Sequence, residues 1–167
     1  MINYKNGNLT VESVDVSKIV SEVGTPFYCY SYNKILDQYR VLAAALSSSK
    51  ISIYFAVKAN SNLSILKELK KFQLGADVVS IGELMKALKS GINPKKIVFS
   101  GVGKTSSELG YAIDKKILLI NTESKSEIKE IDRIAKLKKK TNTNWYYIKS
   151  KYRCKKFRSN FNWKKRK

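Results

Sequence analysis

The sequence predicts an α/β protein made of parallel β/α units, amounting to about half of a (β/α)8 barrel. Three observations lead there. Four short apolar runs, rich in β-branched and aromatic residues, each precede a segment of helical periodicity. The units recur about every 20 to 25 residues, as in such barrels. Polar residues gather at the C-terminal ends of the runs, where β/α barrels place their chemistry. A closed barrel needs eight units and typically about 250 residues. This chain has 167 residues and shows four units, hence half of one. An open doubly wound sheet is the structural alternative.

Taken in order, Thr25–Tyr30 (T-P-F-Y-C-Y) is aromatic and strand-like. Asn33–Leu46 is helical, with Ile35, Leu36, Tyr39, Leu42 and Leu46 on one face. Ile51–Val57 is a strand, and Leu63, Ile65, Leu66 and Leu69 mark the next helix. Ala76–Val79 is a short strand. Ser80 and Glu83 have the spacing of a capping box, opening a helix that carries Leu84, Met85 and Leu88. Gly91 ends that helix, with Pro94 beyond. Ile97–Phe99 is a strand, Thr105 and Glu108 form a second capping box, and Ile117–Ile120 is a strand. Glu123 to about Leu137 is a helix with Ile128, Ile131 and Ile134 inward.

Composition removes several classes. There is no histidine, which excludes Ser-His and Cys-His nucleophiles and histidine metal sites within this chain. Two cysteines, Cys29 and Cys154, are too few for a disulfide framework or a four-ligand zinc site, so a cytoplasmic protein without a metal is expected. No run is long and apolar enough for a membrane span, and Met1–Thr10 lacks a signal-peptide core. The net charge is +20, but residues 141–167 hold 10 Lys/Arg and no acid. The chain therefore divides into residues 1–140, the half barrel, and a basic tail, 141–167, expected to be disordered.

Lys58 carries the most information. The run Tyr54–Asn60 reads Y-F-A-V-K-A-N, so an apolar strand ends on a lysine. Such a residue is costly to bury unless it is paired or works as an amine. The plain alternative is a lysine that marks the strand end. The other strand ends carry Asp77 with Ser80, Ser100–Lys104, and Asn121–Ser124. Gly101–Thr105 (G-V-G-K-T) looks like the end of a phosphate-binding loop. That motif needs glycine five residues before Gly103, where Val98 stands, so a glycine-rich turn before a capped helix is the better reading.

Five segments in order resemble the diaminopimelate decarboxylases, of the alanine racemase/ornithine decarboxylase-type barrel enzymes, over about residues 8–137. They are Gly24–Tyr28, Tyr54–Asn60, Gly75–Leu84, Phe99-Ser100-Gly101 with Lys104, and Asn121–Ser124. The resemblance implies pyridoxal 5'-phosphate held as a Schiff base on Lys58. It implies decarboxylation of meso-2,6-diaminopimelate to L-lysine in lysine biosynthesis, the cofactor ring taking up the electrons left by CO2. Asp77 either lies near the cofactor face, holding Lys58 by charge, or caps its strand. A homodimer is implied, and a small-molecule amino-acid substrate. The histidine that stacks on the cofactor in the family has no counterpart here, so this chain alone is expected to be inactive. Two other readings remain: a decarboxylase or racemase of the same barrel acting on ornithine or arginine, or a non-catalytic protein binding pyridoxal phosphate or RNA.

The tail has three readings: a nucleic-acid-binding arm with interleaved aromatics, a solvated charge run, or out-of-frame translation. The third fits best. Shifting the frame forward by one base turns Trp145 and Trp163 into glycine. It lets Lys149–Cys154 read N-P-N-I-D-A and Asn160–Trp163 read I-S-T-G, the order and spacing of the family's next segment. Lys138-Lys139-Lys140 implies an adenine-rich tract where a base could have been inserted. The chain is thus expected to be a truncated N-terminal portion ended by a frameshift.

Overall fold

The computed structural model describes residues 2–49 and 51–138, and the backbone of 145–148. Apart from those last four, the basic arm and the shifted-frame reading fall on residues outside this description. The chain forms two compact units, Met1–Ile51 and Ser52–Lys167.

The first unit opens with β1 (Ile2–Lys5), β2 (Asn8–Val11) and β3 (Val14–Asp15), an antiparallel sheet in that order. Asn6 and Gly7 join β1 to β2 with φ of 51° and 81°. Two successive positive φ values are what a tight hairpin turn requires, and Asn-Gly supplies them cheaply. Helix α1 (Val16–Val23) is capped by Asp15, whose Oδ1 accepts from Ser17 N. Helix α2 (Tyr32–Ala45) starts at Ser31, whose Oγ accepts from Lys34 N. Glu12 reaches the same helix start, its Oε1 accepting from Ser31 Oγ and Asn33 N at 2.7 and 2.8 Å. Those bonds, the Ser31 hydroxyl foremost, hold the Glu12 carboxyl below its ordinary range. Thr25–Tyr30, expected as a strand, is a bend followed by irregular chain that joins no sheet among the described residues, and Tyr28 is 91% exposed. Its aromatic content reflects β-propensity without a neighbouring strand to realise it.

The second unit holds a five-stranded parallel sheet: β4 (Tyr54–Ala56), β5 (Gly75–Val78), β6 (Ile97–Phe99), β7 (Leu119–Thr122) and β8 (Trp145–Ile148). Helices α3 (Leu63–Lys71), α4 (Ile81–Lys89), α5 (Ser106–Asp114) and α6 (Lys125–Leu137) fill the connections. Spatial order follows chain order, β4 to β8. Right-handed crossovers between sequential neighbours put every helix on the same face. Burial agrees: Ala76, Val78, Ile97, Phe99, Ile120 and Thr122 are fully covered, whereas the alternate residues Asp77, Val98, Leu119 and Asn121 are half-buried. A doubly wound sheet would reverse its strand order and cover both faces. This is instead a wall of a (β/α)8 barrel, its half-open face corresponding to the barrel interior.

Strand bounds differ from expectation in two places. Ile51–Val57 gives only Tyr54–Ala56, because Val57–Ala59 tightens into a 3-10 turn. Ile117–Ile120 slides to Leu119–Thr122. Ile117 is buried in the turn that precedes the ladder, and pairing begins where Leu118 N donates to Ile97 O. Strand β8, on Trp145–Ile148, corrects the expectation that the tail is disordered from residue 141: its backbone pairs in parallel with β7 over Leu119–Thr122.

Candidate functional site

The C-terminal ends of β4 to β7 surround a cleft of about 500 Å³ lined by Ala56, Lys58, Asp77, Val79, Ser100, Gly101, Asn121 and Glu123. That volume is in the range of small-molecule sites. Four of the strand-end positions expected from sequence thus converge: Lys58, Asp77, Ser100–Gly101 and Asn121 with Glu123. Ser80 and Lys104, expected beside them, are not in the lining.

Lys58 sits in the middle of the 3-10 turn. Val57, fully buried, anchors the turn, and Lys58 beside it is exposed. Asn60 Oδ1 accepts from Asn62 N, and Asn62 Oδ1 accepts from Ser64 N to cap α3. The Y-F-A-V-K-A-N run therefore reads as strand, turn and helix entry, with the lysine at the bend. Among the described residues the Lys58 amine makes no hydrogen bond or ion pair.

Across the cleft, three side chains from three strands form one hydrogen-bonded chain. Asn121 Nδ2 donates to Ser100 Oγ at 2.8 Å, and Ser100 Oγ donates to Asp77 Oδ1 at 2.6 Å. The serine proton is thereby directed at the carboxylate, which fixes where Asp77 points. Asp77 caps no helix: α4 is capped by Ser80, whose Oγ accepts from Glu83 N. Gly101 lets the loop after β6 lie close to β5. Its φ is 95°, and a Cβ there would stand 3.0 Å from Val79 O.

Of the two predicted capping boxes one is complete and the other is half formed. Thr105 and Glu108 bond reciprocally. Glu83 instead reaches one residue further back, its Oε2 accepting from Val79 N. A third arrangement of that kind, absent from the sequence reading, joins Ser124 and Glu127: Ser124 Oγ accepts from Glu127 N, and Glu127 Oε2 accepts from Glu123 N. Its S-x-x-E spacing was the available signal. The G-V-G-K-T segment is a turn into α5 rather than a phosphate loop, because its lysine amine is turned inward and only 2% of the side chain is exposed.

The described residues hold no group of three or more metal-ligating side chains and no helix long and apolar enough to cross a membrane.

Residues 32–145 match the family described as pyridoxal-dependent decarboxylase, pyridoxal binding domain, and the chain belongs to that family. Its cofactor is pyridoxal phosphate. Among curated relatives, the diaminopimelate decarboxylase of Campylobacter jejuni is 45% identical over 123 residues, covering 74% of this chain and 31% of that one. The diaminopimelate decarboxylase of Aquifex aeolicus is 42% identical over 140 residues, covering 83% and 33%. Among solved structures, the diaminopimelate decarboxylase of M. jannaschii in complex with L-lysine superposes with a TM-score of 0.81 at 34% identity, covering 87% of this chain and 35% of that one. The chain spans about a third of the length of the relatives it matches.

Proposed function

We propose that Lys58 is the attachment point for pyridoxal phosphate, in a protein of the diaminopimelate decarboxylase type that converts meso-2,6-diaminopimelate to L-lysine and CO2. One observation carries the assignment: an amine with no partner among the described residues, lining a cleft of about 500 Å³ in a pyridoxal-binding domain. Lys104, the other strand-end lysine, has no proton to spare, since all three donors of its ammonium are engaged.

The donor set fits the group. When bound, pyridoxal phosphate supplies an electron sink for the carbanion left by loss of CO2. The chain supplies the rest locally. Lys58 presents a free amine on a turn held by Val57 and by the Asn60–Asn62 bonds. Asp77 offers a carboxylate whose direction is set by Ser100 and Asn121. In this reading it lies beside the cofactor and orients it by hydrogen bonding or charge. Glu123 adds a second carboxylate to the lining.

The curated relatives at 42 to 50% identity are diaminopimelate decarboxylases, which favours that substrate over ornithine or arginine. A homodimer and a cytoplasmic location belong to the same proposal, as does the inactivity of this chain alone, since it contains no histidine to stack on the ring.

The test is borohydride trapping. The full chain is incubated with increasing pyridoxal phosphate, reduced, digested and mapped by mass spectrometry. Saturable labelling of Lys58, at concentrations that leave other lysines untouched, is expected, and K58A abolishes it. Uniform labelling of exposed lysines would overturn the assignment.

A further inference from the structure

The buried pair behind the cleft is more than a packing feature. Lys104 Nζ donates to Gly101 O at 2.6 Å, to Asn121 O at 2.8 Å and to Glu127 Oε1 at 2.8 Å. The side chains are 2% and 10% exposed. Taking two charges out of water costs several kcal/mol per ion, so such a pair is poor evidence of net stability. What this pair does is geometric. All three ammonium protons are used, and two of the three acceptors are backbone carbonyls of residues that line the cleft. The third, Glu127, uses its other oxygen to hold the amide of Glu123 at 2.7 Å, again a lining residue.

One ion pair therefore fastens the loop after β6, the end of β7 and the loop before α6. Asn121 passes the constraint into the site, because its side chain donates to Ser100, which donates to Asp77. A shift of the Asn121 backbone would break the chain that aims the Asp77 carboxylate. The Lys104 ammonium also lies over the Phe99 ring, 5.8 Å from its centroid.

We infer that Lys104 and Glu127 are positioning residues for the cleft: without touching a ligand, they set the geometry of Gly101, Asn121 and Glu123, and through Asn121 that of Asp77. This rests on the reading of the cleft as a pyridoxal phosphate site, but it has a readout of its own.

The experiment uses the full chain and three proteins: parent, K104M/E127M and E127Q. The double variant removes both buried charges, so no lone ion is left behind and a retained fold is expected. E127Q keeps the shape and an acceptor, and serves if the double variant does not fold. Three quantities are read: thermal midpoint, amide hydrogen exchange over residues 99–104 and 119–124, and the pyridoxal phosphate concentration that half-saturates borohydride labelling of Lys58. The double variant is expected to melt within a few degrees of the parent. Its two segments should exchange at least tenfold faster, and its half-saturation should rise at least tenfold, with E127Q intermediate. Parent-like exchange and half-saturation in a folded variant would overturn the inference, as would faster exchange with unchanged labelling. If the parent itself shows no selective labelling, the cofactor reading fails, and the exchange rates alone decide whether the clamp exists.

Discussion

Gly75 opens β5 directly opposite Tyr54 on β4, and the tyrosine ring occupies the space a side chain would need. A Cβ built there collides with two ring carbons of Tyr54 and comes within 2.7 Å of Lys96 O. The backbone contact cannot swing away, and Tyr54 belongs to a strand of only three residues. Forcing one methyl into such a site costs about 1 to 3 kcal/mol. For a chain of this length each kcal/mol moves the thermal midpoint by roughly 2 to 4 °C. Gly75→Ala should therefore lower the midpoint by about 2 to 12 °C.

The same substitution seven residues on should do the reverse. Gly82 lies in α4, and the nearest atom to a Cβ there is Ser80 Oγ at 3.9 Å. Gly82→Ala gains helix propensity of about 0.5 to 1 kcal/mol and should raise the midpoint by about 1 to 4 °C. Thermal unfolding by circular dichroism, at two protein concentrations, measures both. Adding Tyr54→Ala to Gly75→Ala tests the cause, since the ring clash vanishes while the Lys96 contact stays, and a coupling of about 1 kcal/mol is expected. Equal midpoints for parent and Gly75→Ala, or a lower midpoint for Gly82→Ala than for Gly75→Ala, would refute the reasoning. Because Tyr54 begins the strand that ends at the Lys58 turn, Gly75→Ala should also weaken borohydride labelling of Lys58.

Ser100→Ala removes the hydroxyl between Asn121 and Asp77, so labelling of Lys58 should require several-fold more pyridoxal phosphate, with the fold retained by circular dichroism. Thr105→Ala takes away the cap of α5 and should cost about 1 kcal/mol in urea unfolding; a loss below about 0.3 kcal/mol would show the box to be idle. Glu130 accepts from Arg133 and from Ser106, and these bonds, Arg133 first, lower its carboxyl from 4.5 to about 2. A depressed folded value gives stability that is fully present above about pH 4.5 and lost as pH falls through about 2. The midpoint difference between parent and Glu130→Gln should accordingly shrink between pH 4.5 and 2, and a constant difference across that window would refute it.

Which features could be read from the residues depends on whether their cause is local. Ile97–Phe99 is a strand to the residue, because three apolar residues lie between the Pro94 turn and a serine. Ile117–Ile120 missed by two, since apolarity marks burial and Ile117 is buried in a turn. Nothing local to Thr25–Tyr30 says that no strand among the described residues pairs with it. The hairpin β1–β2 has a local signal in Asn6-Gly7, whose two positive φ values suit a tight turn, although the polarity of the flanking residues masks its strands. The two strand-end lysines make the same point about the site. Lys58 and Lys104 each stand between an apolar strand and a capped helix, and that position alone does not tell an exposed amine from a buried one. Their difference lies in partners contributed from 17 and 23 residues away, which the register of β6 against β7 brings to Lys104. No comparable neighbour reaches Lys58 among the described residues. Lys58 is thus set apart from Lys104 by what its neighbours among the described residues do not supply, and only the fold contains that information.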